Sequence, residues 1–478
     1  MELFYSNAIR SNLNIAPEHQ TPAVGILVSV KLKSSGAMAT IYEENDISGP
    51  VKDNPITTDA LGNFWFYAPN DRYILEFSTG DIVPDVILFD PGATTSDSGI
   101  RYSKIDNPML HILKKNKLEE SSSGGLSVTR STTATFIDQY GVVRTAAANE
   151  LRQEGDGWLF ESASSNLILR SEDFDNAAWI KNGGGTGLAP TVTPNFGVCP
   201  DGSASADRVQ FSIGGGSSSA DVSEIKQFAV ATSPVISVWL KSNTGSNQTV
   251  SIGYGSVLQV IVTADWKRFE FATSGVSQSF EIRVRGDQES SDADILVWGA
   301  QLETGATEAS SYIPTSTASS TRGADIVSVS VLDNFISSAQ GDHTQFVRVK
   351  TRGLTGTSVI YEVGDGGTNA AFGLSIDGPF SEYRDGSAQV STSPVLDRSV
   401  ENTIVSITED STVITYANSV TGVVQTLNAT ETLDTAKSLY IGSNNGSINA
   451  FSGHIQDFRV YDFALNADEV KFLSGDKK

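Results

Sequence analysis

Short runs in which apolar and polar residues alternate, recurring about every ten residues with turn-forming residues between them, are the feature that most limits what this chain can become. In Ile26–Lys33, apolar Val28, Val30 and Leu32 alternate with Ser29, Lys31 and Lys33, which marks a strand with one face buried. The same grammar fills Asn166–Gly305, through Asp207–Phe211, Val235–Lys241, Gln248–Gly255, Gln259–Ala264, Lys267–Ala272 and Phe280–Arg285 to Ala293–Glu303. It returns in Ala324–Lys478, for example at Thr344–Thr351, Asn402–Glu409 and Thr412–Asn418. With Gly, Ser and Asn at the turns, these pieces read as an all-β chain of tandem β-sandwiches or jelly rolls joined by short linkers. No fixed period repeats, which argues against a solenoid.

A chain of 478 residues is long enough for about three domains. The pattern sets them at 1–90, a small sandwich; 126–316, a second sandwich; and 324–478, a jelly roll. Residues 91–125 read as a linker with one short helix, because Asn107-Pro108 can cap and start one and Met109, Leu110, Ile112 and Leu113 follow at helical spacing. The run Ser121–Gly125 breaks it. Residues 317–323, within the small polar stretch Pro314–Gly323, read as a hinge. Asn466-Ala-Asp-Glu469 is a capping box opening a short C-terminal helix.

Charge and chemistry remove several function classes. Lys and Arg number 33 against 56 Asp and Glu, a net charge of −23, so the surface is unsuited to nucleic acid or to an anionic membrane. No apolar run approaches the ~18–20 residues that span a bilayer. The N-terminus lacks the basic and apolar segments of a secretory signal, and the expectation is a protein not exported by that route. A single cysteine, Cys199, excludes an intrachain disulfide, and His19, His111, His343 and His454 have no metal-ligand spacing. No phosphate-binding loop, zincin histidine pair or nucleophile-elbow motif is present, so the chain reads as a non-enzyme needing no cofactor.

One aromatic stands apart. Alternation in Val235–Ser242 puts Trp239 on the face of Ser237 and Lys241, making it a candidate platform for stacking a sugar ring; a subunit contact or covering loop explains that placement equally well. Trp65, Trp158, Trp179, Trp266 and Trp298 read as core.

The stretch Gly124–Asn182, "GGLSVTRSTTATFIDQYGVVRTAAANELRQEGDGWLFESASSNLILRSEDFDNAAWIKN", resembles a segment of bacteriophage tail and fibre proteins. "CPDGSASADRVQF", "SVWLKS", "WKRFEF" and "VWGAQLETGATEASSYIPTSTASSTRGAD" follow in the family's order, although "ELRQEGDGWLFES" lacks the "PRF" usual there. The resemblance implies a carbohydrate-binding-module-like sandwich in a virion appendage. Ser452–Leu473, "SGHIQDFRVYDFALNADEVKFL", resembles the end of concanavalin-like or laminin-G-like jelly rolls. The N-terminal "NPITTDALGNFWFYAPNDRYILEFS" is similar to attachment domains of short-tailed phage fibres.

Together these resemblances imply a phage tail fibre in the virion, assembled in the host cytoplasm as a homotrimer. Its first domain would fix it to tail or adaptor proteins and its last would meet a host-surface glycan or protein receptor, with neither nucleic acid nor membrane insertion involved. A head spike or decoration is the alternative, and a host-glycan depolymerase a more distant one. The resemblance also implies a structural calcium, with ligands at Glu172 or Asp173 and at Gln301 or Glu303, against the reading of a solvated acidic turn. Asp377-Gly378 and Asn444–Gly446 would lie on a laminin-G-type rim.

Overall fold

The computed structural model describes most of the chain. Outside it lie residues 11–20, 44–49, 89–104, 106–109, 119–125, 331–341, 353–357, 365–369, 393–399, 427–437, 444–450 and 475–478, with gaps of one to three residues elsewhere. The expectations for Ser121–Gly125, Gly378 and Asn444–Gly446, and for most of the 91–125 linker, therefore fall outside the described residues. Among the described residues the fold is nearly all β, and no helix is long and apolar enough to cross a membrane. The chain divides into two compact units, Met1–Pro108 with Asn466–Lys478, and Met109–Leu465.

The first unit holds two four-stranded antiparallel sheets. One runs Glu2–Asn7, Asn63–Ala68, Ile41–Tyr42, Val51–Lys52; the other runs Ile82–Leu88, Asp71–Phe77, Leu27–Leu32, Ile56–Thr57. Alternation works as the sequence implies: Val28, Val30, Phe64, Phe66, Tyr73 and Leu75 form the core. The Asn54 side chain pins the turn after Leu27–Leu32 to that strand, donating to Val30 O at 2.7 Å and Ala39 O at 2.8 Å. Trp65 departs from the core reading. It points away from Phe64 and Phe66, is 36% exposed, and carries the Lys52 ammonium 3.3 Å from its ring centroid. The helix Ala467–Ser474 opens on the capping box: Asn466 Oδ1 accepts from Asp468 N and Glu469 N, both at 3.0 Å, and Glu469 accepts from Asn466 N at 2.8 Å.

The second unit is built from two sandwiches, one inserted into the other. The inner one has a five-stranded sheet in the order Ile180–Gly184, Val222–Thr232, Val276–Arg285, Gln248–Tyr254, Ser256–Val262. Its second sheet runs Leu188–Gly197, Ala206–Ser212, Ala293–Thr304, Pro234–Ser242, Lys267–Ala272. Their inward residues, among them Ile225, Val238, Ile252, Ile282 and Val297, make one core with Trp179, whose ring stacks on Phe174 at 4.6 Å.

The outer jelly roll is discontinuous in sequence, and three expectations change with it. Leu126–Thr129 pairs with Ile326–Ser330, and Gly157–Phe160 pairs with Gly453–Tyr461, so these two strands belong to the C-terminal jelly roll rather than to the 126–316 sandwich, while the hairpin Ala134–Ala146 forms a sheet of its own. Trp158 and Phe160 sit in its core beside Val347, Ile360 and Ile455. Among the described residues the expected helix does not extend over Leu110–Lys114, which is a strand on the same long strand, with Leu110 opposite Val460 and Leu113 opposite Phe458; Ile105, earlier in the linker, is helical. A short apolar run suits an edge strand as well as a helical turn, and the open edge of Gly453–Tyr461 decides between them. The 317–323 hinge is likewise a correction. Ser320–Arg322 pairs antiparallel with Ser164–Asn166 at the point of insertion, and Arg322 is 2% exposed, donating to Ser162 O at 2.7 Å.

Beneath that two-stranded neck lies a buried ionic cluster. Asp325 accepts from Arg130 at 2.6 Å, from Arg152 at 2.5 Å and from Glu161 N at 2.9 Å. Arg152 also pairs with Glu161 at 2.6 Å, and Glu161 accepts from Ser311 N and Ser311 Oγ, each at 2.7 Å. Burial alone would raise the Glu161 carboxyl, but the surrounding Arg322, Arg152 and Arg352 hold it well below the ordinary carboxylate range. Ser311 comes from the inserted sandwich and Asp325 from the jelly roll, so the cluster ties both together through Arg152.

Candidate functional site

Trp239 is not an open platform. It is 5% exposed, in a cluster with Val143, Cys199, Ala206, Trp298 and Tyr312. Its ring lies 5.2 Å from Trp298 and 5.5 Å from Tyr312, and the Arg268 guanidinium sits 4.5 Å from its centroid. The reason is a cover that alternation could not reveal: the strand Pro234–Ser242 is buried on both faces, and part of the cover, Val143, lies far away in sequence. Gly299 faces the same ring at φ +67°, and a Cβ there would stand 2.9 Å from Trp239 Cε3. Gly299→Ala is therefore expected to cost about 1–3 kcal/mol in urea unfolding. Trp266 is half-buried at the margin of this cluster, its Nε1 donating to Val198 O at 2.9 Å, while Trp158, Trp179 and Trp298 are core as expected.

The proposed calcium ligands do not converge. Glu303 is buried, and its two oxygens accept from Ser164 Oγ, Ser310 Oγ at 2.6 Å, Ser310 N at 2.9 Å and Gln301 Nε2 at 2.8 Å, which occupies the usual capacity of a carboxylate. Gln301 Oε1 accepts from Ile313 N at 2.7 Å. Glu172 lies elsewhere, accepting from Tyr312 Oη at 2.9 Å; burial, with help from Asp201 and Asp173, raises its carboxyl. Asp173 is exposed and pairs with Arg170 at 3.3 Å. Among the described residues no group of three His, Cys, Asp or Glu side chains could hold a metal ion. The donor set thus does not fit a calcium ion shared between these residues.

A different surface brings recognition chemistry together, on the outward face of the sheet that begins at Ile180–Gly184. Because Ile225, Ile282 and Ile252 point inward, their strand neighbours line up across the other side. One row places Asn182, Glu224, Arg283, Ser251 and Gln259 side by side. The next places Lys226 opposite Glu281. Charges of opposite sign thus alternate both along and across the strands. Lys226 Nζ meets Glu224 at 2.5 Å, Arg283 meets Glu281 at 2.9 Å and Gln288 at 3.1 Å, and Asn182 donates to Glu224 at 3.2 Å. Glu289 folds over the row, accepting from Ser251 Oγ and from Arg285 N at 2.7 Å. Burial raises the Glu281 carboxyl despite Arg283. At the end of the ladder Phe228 is 61% exposed, with the Lys226 ammonium 5.9 Å from its ring.

Glu224, Ser251, Glu281 and Glu289 are themselves buried and Lys226 and Arg283 half-buried, so the open element of this face is Phe228, an aromatic surface of the kind with which proteins bind sugars. The alternation of charge in Glu224–Phe228 and Phe280–Arg285 was visible in the sequence, but the register that joins the two strands was not.

Residues 323–471 match the Laminin_G_3 family, described as the concanavalin A-like lectin/glucanases superfamily. The C-terminal part of the chain is thus a concanavalin-like domain, in agreement with the resemblance at Ser452–Leu473. No curated protein matches the chain. Among solved structures, domain 4 of AbnA, a GH43 extracellular arabinanase from Geobacillus stearothermophilus in complex with arabinotriose, is 19% identical, covering 32% of this chain and 73% of that one at a TM-score of 0.27. The CBM40 of Ruminococcus gnavus IT-sialidase, bound to α2,3 sialyllactose, is 20% identical, covering 29% and 84% at 0.26. A heptameric SAP-like pentraxin from Limulus polyphemus is 14% identical, covering 29% and 72% at 0.26. Likenesses at these scores have no bearing on what this chain binds.

Proposed function

We propose that this protein is a non-catalytic glycan-recognition protein of a virion, a bacteriophage tail fibre that attaches the particle to the host surface. The observation that carries the recognition reading is Phe228, 61% exposed at the end of the largely buried ladder of Glu224, Arg283, Lys226 and Glu281. The ion pairs Lys226–Glu224 and Arg283–Glu281 fix the strands that carry it, and Phe228 offers a face for a pyranose ring. The virion assignment rests on the tail-fibre resemblance of Gly124–Asn182 and of the segments after it. In this reading the first domain joins the tail, the fibre is a homotrimer, and repeated weak sites supply avidity. Neither an enzymatic step nor a bound cofactor is part of it.

Phe228→Ala is expected to weaken binding to host-envelope glycans by about tenfold, since stacking contributes roughly 1–2 kcal/mol, with the melting temperature unchanged. Glycan-array retention and virion adsorption measure the effect. Retention equal to the unmodified protein's would remove this face from recognition, and labelling of the virion head rather than the tail in electron microscopy would remove the fibre assignment.

A further inference from the structure

A groove of about 660 Å³ opens in the second unit beside the hairpins Ala134–Ala146 and Arg152–Phe160. Its volume falls within the range of small-ligand sites. Phe136, Leu151 and Trp158 give it apolar surface, and Gln139 and Gln153 give it amides. Asp138, Glu150 and Glu154 supply carboxylates, and no Lys, Arg or His is among the described residues that line it.

The walls are fixed by hydrogen bonds. Asp138 accepts from Tyr140 N at 2.9 Å, Val142 N at 3.0 Å and Arg144 Nε at 2.8 Å. Glu150 accepts from Ala147 N at 2.7 Å. Glu154 accepts from Ile137 N at 2.7 Å and lies 2.9 Å from His454 Nε2. These bonds hold the groove open without a ligand, which lowers the ordering cost of binding.

We propose that this groove is a second saccharide site, separate from the Phe228 face, and that it takes a short oligosaccharide bearing free amines, of the hexosamine class. Aromatic surface suits the apolar face of a pyranose, and an ammonium gains both from an aromatic ring and from the carboxylates. An acidic sugar meets like charge here. The basic groups nearest the walls are already engaged, Arg144 with Asp138, His454 and Arg352 with Glu154, and Lys350 with Asp156 at 2.7 Å, which leaves Glu150, among the described residues, as the carboxylate without a cationic partner in the groove. An N-acetylated sugar brings no charge to satisfy.

Glucosamine tetrasaccharide and its fully N-acetylated counterpart, titrated into the full chain by calorimetry, test the assignment. The amine form should bind at least about fivefold more tightly, and added salt should erode the difference. Gln139→Ala, at an exposed position, and Glu150→Gln should each weaken the amine form by about threefold or more, and Phe228→Ala should leave it unchanged. Absence of binding by the amine form overturns the proposal, as do equal affinity of the two forms and indifference to both groove variants. Loss of binding in Phe228→Ala would assign the ligand to the ladder face instead.

Discussion

Residues 324–478 expressed alone are expected to fail to fold, whereas 126–478 should give a cooperative melt and a dispersed NMR spectrum. The jelly roll takes Leu126–Thr129 as the neighbour of Ile326–Ser330, and Gly157–Phe160 as the neighbour of its longest-range strand, Gly453–Tyr461. Without them two strand edges lose their partners, and an unpaired edge templates aggregation. The core loses Trp158 and Phe160, the latter fully buried and so close to Gly442 that a Cβ there would stand 2.4 Å from the ring. In the intact chain, Phe160→Ala alone should cost about 3–5 kcal/mol in denaturant unfolding. A soluble, cooperatively melting 324–478 fragment would show that the early strands are accessories rather than parts of the domain.

The second large effect is expected at Asp325. Asp325→Ala leaves Arg130 and Arg152 buried without their shared carboxylate, and should destabilise the second unit by about 3–5 kcal/mol. By comparison, the half-exposed Lys31–Glu76 pair should be worth at most about 1 kcal/mol. Glu161, held below its ordinary value of 4.5, adds a pH dependence. Its contribution is present above pH 4.5 and lost as pH falls through the lower folded-state value, because the unfolded chain takes up the proton first. Urea unfolding at about pH 7 and about pH 3.5 should show a smaller deficit of Glu161→Gln against the native chain at the lower pH. An equal deficit at both would mean that its charge contributes nothing.

Local pattern carried the fold a long way. Alternation placed Val28, Val30, Val238 and Ile282 in cores, and the Asn466–Glu469 box placed the last helix, because both signals are complete within a few residues. What lay beyond reach was partnership between distant segments. Nothing in Leu110–Leu113 announces Phe458, and nothing in Ser320–Arg322 announces Ser164, yet those pairings turn an expected helix and hinge into strands. The same blindness misplaced Trp239, whose polar strand neighbours suggested solvent while Val143, Trp298 and Tyr312 cover it. The Phe228 face was not read from the sequence: its alternating charges stand there, but only the register that joins the strands gives them a meaning.

The neck also bears on how such a protein can change over generations. Ser164–Asn166 and Ser320–Arg322 run side by side, so the whole inserted sandwich leaves and rejoins its carrier through two adjacent strands. A recombination event that exchanged the coding segment between those points would install a different recognition module without moving either flanking strand of the jelly roll. The replacement would need a serine able to reach Glu161, the part Ser311 plays here, and a surface that fits Val143 and Thr135 of the neighbouring hairpin, as Trp239 and Tyr312 do. In the proposed reading, binding preference can then turn over by cassette while the carrier stays constant.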